Sequence, residues 1–115
     1  MIIPQGDTGT FTIPLQGTLS TGEKALISIY DNLTRTIMLE REMEVGEDTL
    51  SYTFKTEDTI NIEPDDRGNR YNWDITLLRE PQTDANNQTY YANVDSYYAA
   101  FSLPPCVIKR VTRDV

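Results

Sequence analysis

The residues of this 115-residue chain that could do chemistry are almost all oxygen donors. Eighteen Asp and Glu stand against ten Lys and Arg, and histidine is absent, which removes the most frequent general base and the commonest transition-metal ligand. The single Cys106 cannot close an internal disulfide. With no histidine beside it, it can build neither a zinc site nor a Cys-His nucleophile, and it reads as a small buried hydrophobe near a strand start, the alternative being a free reactive thiol. The stretch EPDDRGN offers Glu63, Asp65, Asp66 and the Gly68 carbonyl as hard ligands for calcium, but the spacing is not that of an EF-hand and acidic turns ordinarily face water. The opening GDTG, Gly6 to Gly9, lacks the lysine of a phosphate-binding loop and runs into an alternating strand rather than a helix. Sugar hydrolysis needs one carboxyl raised in pKa by burial, and nothing marks such a pair among eighteen acids. No catalytic residue, metal or cofactor is expected, and the chain reads as a non-enzyme.

Binding is better provided for. Seven tyrosines include the adjacent pairs Tyr90-Tyr91 and Tyr97-Tyr98, and neighbours in an extended segment point to opposite faces, so some rings must turn outward. Such rings either finish a thin core beneath a loop or form a patch for protein or glycan, where tyrosine combines a rigid apolar body with a polar tip. The net charge of −8 repels phosphate backbones and anionic membranes, so neither nucleic acid nor membrane is an expected partner. Lys109, Arg110 and Arg113 in KRVTRDV form a small basic patch that reads as a solvated terminal strand. MIIPQGD has neither a basic nor a long apolar region, and no apolar run approaches the ~18 residues that cross a bilayer. No signal peptide is therefore expected, and the cysteine usage fits a reducing cytoplasm.

The elements that must position these residues are strands. Phe11, Ile13 and Leu15 alternate, as do Ala25, Ile27 and Ile29, then Ile37 and Leu39, then Leu50, Tyr52 and Phe54. STG at Ser20 to Gly22, DNLT at Asp31 to Thr34 and Gly46-Glu-Asp48 supply turns between them. Thr56 is placed to cap one helical turn that Pro64 stops. Tyr71, Trp73, Ile75 and Leu77 mark the central core strand, with Trp73 as its largest anchor. A wide polar connection follows, a long hairpin whose return strand begins near Thr89. VDSYYAAFSLPP carries both a capped Ala-Ala turn and an alternation of Tyr97, Ala99 and Phe101, and is read as an irregular loop with a helical turn. Cys106 to Val111 closes the fold. Gln5 to Gly9 reads as the corner of a kinked edge strand, with Gly6 or Gly9 in unusual dihedrals and Asp7 or Thr8 bonded to nearby amides. Short, evenly spaced strands without a crossover helix predict an all-β, antiparallel immunoglobulin-like sandwich of seven to eight strands, one domain over residues 1–115.

PQGDTGTFTIPL at the start, YTFKTEDT in the middle and GNRYNWDITL on a late strand resemble the N-terminal immunoglobulin-like domain of the tailed-phage upper baseplate protein family. The resemblance covers about residues 2 to 79 and the last strand; DSYYAAFSLPPC lies outside it, and chains of that family usually continue beyond the sandwich. It implies a phage or prophage structural module of the baseplate or a related tail, neck or head component. Such a module is made in the bacterial host cytoplasm, is located in the virion, and contacts other virion proteins as a multimer. Ile2, Ile3, Asp7, Tyr90, Tyr91, Tyr97 and Tyr98 are the expected contact surface. The alternative is a carbohydrate-binding module that uses exposed tyrosines on a glycan.

Overall fold

The computed structural model describes residues 2–15, 17–65, 67–96 and 106–109. In chain order these form β1 (Ile2–Pro4), β2 (Thr10–Pro14), β3 (Lys24–Asp31), β4 (Thr36–Glu42), β5 (Glu44–Val45), β6 (Thr49–Thr53), α1 (Thr56–Thr59), β7 (Tyr71–Thr83), β8 (Thr89–Ser96) and β9 (Val107–Lys109). One sheet has the order β4-β3-β7-β8, a second β2-β6-β5, and β1 pairs with β9. With β2, β6 and β5 standing where strands B, E and D stand in an immunoglobulin domain, and β4, β3, β7 and β8 where C′, C, F and G stand, this is the immunoglobulin-like sandwich. The described residues hold nine strands, above the expected seven to eight, because the short edge pieces β1, β5 and β9 form strands of their own. The parallel pairing of β1 with β9, Ile2 opposite Val107 and Pro4 opposite Lys109, departs from the all-antiparallel expectation. It arises because the first and last strands meet at one edge of the sandwich running in the same direction.

The core follows the period-two pattern. Tyr71, Trp73, Ile75 and Leu77 on β7 and Ala25, Ile27 and Ile29 on β3 are buried, and they belong to one cluster with Ile13, Leu50 and Phe54 from the facing layer. The Phe11 ring stands edge-on to Trp73, with centroids 4.4 Å apart at 90°. This is a favoured quadrupolar arrangement and adds to the area the two rings remove from water. Ile3, Ile62, Cys106 and Ile108 complete the cluster where β1 and β9 close it.

Local details differ from expectation for identifiable reasons. The helical turn has Lys55, not Thr56, in the capping position, and Asp58 folds its carboxylate back to accept the Lys55 N–H at 2.9 Å. The helix spans Thr56–Thr59 with Ile60 as its C-cap, and the Ile62 N–H on the Thr59 carbonyl closes the turn that follows, before Pro64 is reached. At the N-terminal corner Gly6 takes φ +80° and Gly9 does not. The corner is closed by the Asp7 N–H on the Pro4 carbonyl and the Gly6 N–H on Thr59 Oγ1, not by the side chains of Asp7 or Thr8. β7 runs six residues past Leu77, and β8 begins at Thr89 as the hairpin reading expected. The loop with a helical turn was expected to begin at Val94, but Val94 to Ser96 belong to β8; the rest of that expectation lies outside the described residues.

Trp73→Ala is expected to cost about 3–5 kcal/mol, since it removes the largest core ring and leaves Phe11 facing a void. Urea unfolding followed by circular dichroism checks this; a loss below about 1 kcal/mol contradicts the central placement of Trp73.

Candidate partner-contact surface

The buried carboxylates among the described residues, Asp31 and Asp58, pair with arginines of the fold. Asp31, at the end of β3 and fully buried, accepts Arg70 Nε at 3.1 Å and Nη2 at 2.9 Å, together with the Leu33 N–H at 2.9 Å. The other side of the guanidinium reaches Glu63 at 3.1 Å. The forked Arg70 contact holds the Asp31 carboxyl well below the usual carboxylate range. Tyr71, at the start of β7, donates its hydroxyl to the Glu63 carbonyl at 2.5 Å, the hydrogen bond of a tyrosine corner. Asp65 accepts the amides of Arg67, Asn69 and Arg70. Glu63 and Asp65, two of the candidate calcium ligands, are thus taken up by a guanidinium and by backbone, and Asp66 lies outside the described residues. Among the described residues no three acids or thiols are grouped to hold a metal ion. An open cleft lined by Asn32, Leu33, Arg67 and Asn69 lies over this network.

The first outward surface is the N-terminal corner. Gln5 Nε2 donates to the carbonyls of Ile60 and Ile62 at 3.0 Å each, which ties the corner to the end of α1. Between β1 and β2 runs a shallow groove of about 220 Å³, lined by Ile2, Asp7, Gly9, Phe11 and Phe54. Ile2 is 63% exposed at its rim and Asp7 is half-buried. Ile3 corrects the sequence reading: at 2% exposure it belongs to the core, because alternation along β1 turns it inward against the sandwich. Removing residues 1–9 would therefore empty part of the core and strip β9 of its neighbour, so the deletion does not isolate a contact.

The second surface is the outer half of the β7–β8 hairpin, an arm in which residues 80–90 are all exposed. Its base is fastened by Glu23, which accepts the Ser20 N–H at 2.7 Å and the Glu80 N–H at 3.0 Å. Those amides, that of Ser20 first, hold the Glu23 carboxyl below its ordinary value. Arg79 donates to the Thr18 carbonyl at 2.9 Å and pairs with Asp95 at 3.2 Å. Glu80 takes φ +58°, which costs a non-glycine residue energy and is held by the Glu23 bond. At the tip Asp84 Oδ1 accepts the amides of Asn86 and Gln88, and Asn87 takes the left-handed conformation common for asparagine. Tyr90 is 52% exposed and Tyr91, opposite Pro81, is half-buried, so the pair divides between the faces of β8 as alternation requires. Tyr97 and Tyr98 lie outside the described residues.

Sequence reasoning did not single out Val94, 58% exposed on the arm, or Leu33, exposed in the β3–β4 turn, and it read Ile37 with Leu39 on a buried face although Ile37 is exposed. A signal was available only for Val94, which continues the spacing of Tyr90 and Ala92. For Ile37 the register shift between Ile29 and Tyr30 moves the side chain to the solvent face, and no local pattern announces such a bulge.

Arg70→Met is expected to destabilise the fold more than the double substitution Asp31→Asn with Arg70→Met, because the single change leaves a buried carboxylate unpaired. Because the folded-state pKa of Asp31 is depressed, its contribution is fully present above the unfolded value of about 3.9 and is lost as pH falls from there through the folded value. The wild type should lose stability steeply below about pH 4, and Asp31→Asn should flatten that slope; denaturant midpoints at pH 7 and pH 3 measure it. Cys106 is fully buried, and burial pushes its thiol up to about 11. A chromogenic disulfide reagent at pH 8 should modify it only as the protein unfolds, and rapid labelling of the native chain contradicts this placement.

Comparison with protein-family models, with curated proteins and with solved structures gave no match.

Proposed function

We propose that the chain is a structural module of a phage or prophage virion, in the tail baseplate or a related tail, neck or head component, that works by protein–protein contact within a multimer. It is made in the host cytoplasm and carried into the particle. The motifs PQGDTGTFTIPL and GNRYNWDITL and an immunoglobulin-like frame support this reading.

The observation that carries the contact role is where the exposed apolar side chains lie. Ile2 flanks an open strand edge, and Tyr90 and Val94 lie along the projecting arm, while the buried charges are committed to internal pairs. Edges and loop aromatics are places where a scaffold presents itself to neighbours. A glycan reading draws less support. Tyr90 and Tyr91 leave opposite faces of β8 and do not make the coplanar platform on which a sugar ring would stack.

Ile2→Lys and Tyr90→Ser, both at exposed positions, should leave the melting temperature nearly unchanged and reduce incorporation of the tagged protein into purified particles. Normal incorporation of both variants would place the interface elsewhere. A wild-type chain that is never found in particles and that binds on a glycan array would overturn the assembly role.

A further inference from the structure

The arm poses a physical problem. A two-stranded ribbon with both faces in water is at best marginally stable, and sheets gain stability from a third strand. Beyond Glu80 neither face of the arm is covered, and among the described residues nothing pairs with the outer edge of β8.

That edge is unlike the others. The free edge of β4 carries Glu40, Arg41 and Glu42 and a register shift, both of which oppose pairing with another chain. The free edges of β1 and β5 are three and two residues long. β2 is short and ends at Pro14. β8 has eight residues, contains neither proline nor lysine, and has one charge, Asp95, already paired with Arg79.

The left-handed Glu80 lies on β7, so β8 keeps its own alternation. Leu77, opposite Asp95, faces the core, and Leu78, opposite Val94, faces away from it. Tyr90, Ala92 and Val94 therefore share the face turned away from the core. An apolar parity on the solvent side of an unpaired edge is the reverse of what a free strand requires.

We propose that β8 pairs with β8 of a second copy, antiparallel and centred on Ala92. This register places Tyr90 opposite Val94 of the second copy and Val94 opposite its Tyr90, with Tyr91 opposite Asn93 and Ala92 opposite Ala92 at the dyad. The aromatic–β-branched pairs are among the favourable cross-strand combinations. Asp95 meets Thr89, so no like charges face one another across the contact. Two four-stranded sheets become one continuous sheet, and a twofold contact of this kind closes on itself. Because each copy carries a net charge of −8, association is opposed at long range and strengthens with salt. The contact stands on the geometry of β8 alone, whether or not the chain works in a virion.

The test uses the register's particular consequence that residue 92 faces itself. Sedimentation of the purified chain in 0.5 M and 0.05 M sodium chloride, up to concentrations on the order of 100 µM, should show a mass rising toward the dimer, more so at high salt. Ala92 is exposed, so Ala92→Lys and Ala92→Glu should fold normally. Each alone should weaken the dimer at least about tenfold by placing like charges in contact, and mixing the two variants should restore it. A chain that stays monomeric throughout overturns the proposal, as does one that pairs only with another virion protein. A dimer that tolerates Ala92→Lys, or a mixture that does not recover, overturns it as well.

Discussion

Arg70 holds three parts of the chain at one point. Its guanidinium grips Asp31 at the end of β3 and Glu63 in the connection after α1, and its backbone leads directly into β7. Asp31 is fully buried, and a buried carboxylate is tolerable only where its hydrogen bonds are complete, which the guanidinium and two turn amides provide. The Arg70 carbonyl also accepts the Asn32 N–H, so backbone and side chain fix the same junction. From there the register of β7 against β3 follows, Asp31 opposite Tyr71 and Ile29 opposite Trp73, and with it the face that Trp73 presents to Phe11.

A second polar cluster serves the facing layer in the same way. Asp58, nearly buried, receives the Tyr52 hydroxyl at 2.5 Å and lies 3.4 Å from Arg41 Nε. Burial first, and then the Asp58 carboxylate, raise the Tyr52 phenol to about 12, so it stays a donor throughout the physiological range. β4, β6 and α1 are thereby tied together at a point where the two sheets come from different layers. The Asp31–Arg70 pair joins segments 39 residues apart, and both clusters sit where the chain passes between elements. Apolar alternation by itself forbids a slip of one residue, which would turn the core side chains to water, and these directed bonds add a fixed point that a slip of two would break.

A frame fixed in this way lets the rest of the surface be used. The N-terminal corner and the β7–β8 arm are each fastened by a few directed bonds, from Gln5 and Gly6 to the end of α1 and from Glu23 to Glu80. Beyond those bonds they present apolar side chains to water. Under the assembly role proposed above, this division between a bonded interior and open edges lets the module fold alone and still have an edge left to pair.

Much of the frame was legible in the amino acids themselves. Alternation at Ala25, Ile27 and Ile29 and at Tyr71, Trp73, Ile75 and Leu77 determines β3, β7 and the inward face of each, because side chains of a strand have a period of two. The composition likewise removed histidine chemistry and disulfides from consideration. The candidate surface was legible in part: Tyr90 and Ile2 were expected outside and are, whereas Ile3 beside it is core. That difference rests on β1 finding β9 about a hundred residues away, a pairing that no local pattern encodes. Only the tertiary structure decided that Asp31, Glu63 and Arg70 are partners, since their proximity depends on the β3–β4 turn meeting the connection between α1 and β7. It also decided that the apolar side of β8 faces water, because a strand's alternation states which residues share a face but not which face the core will take.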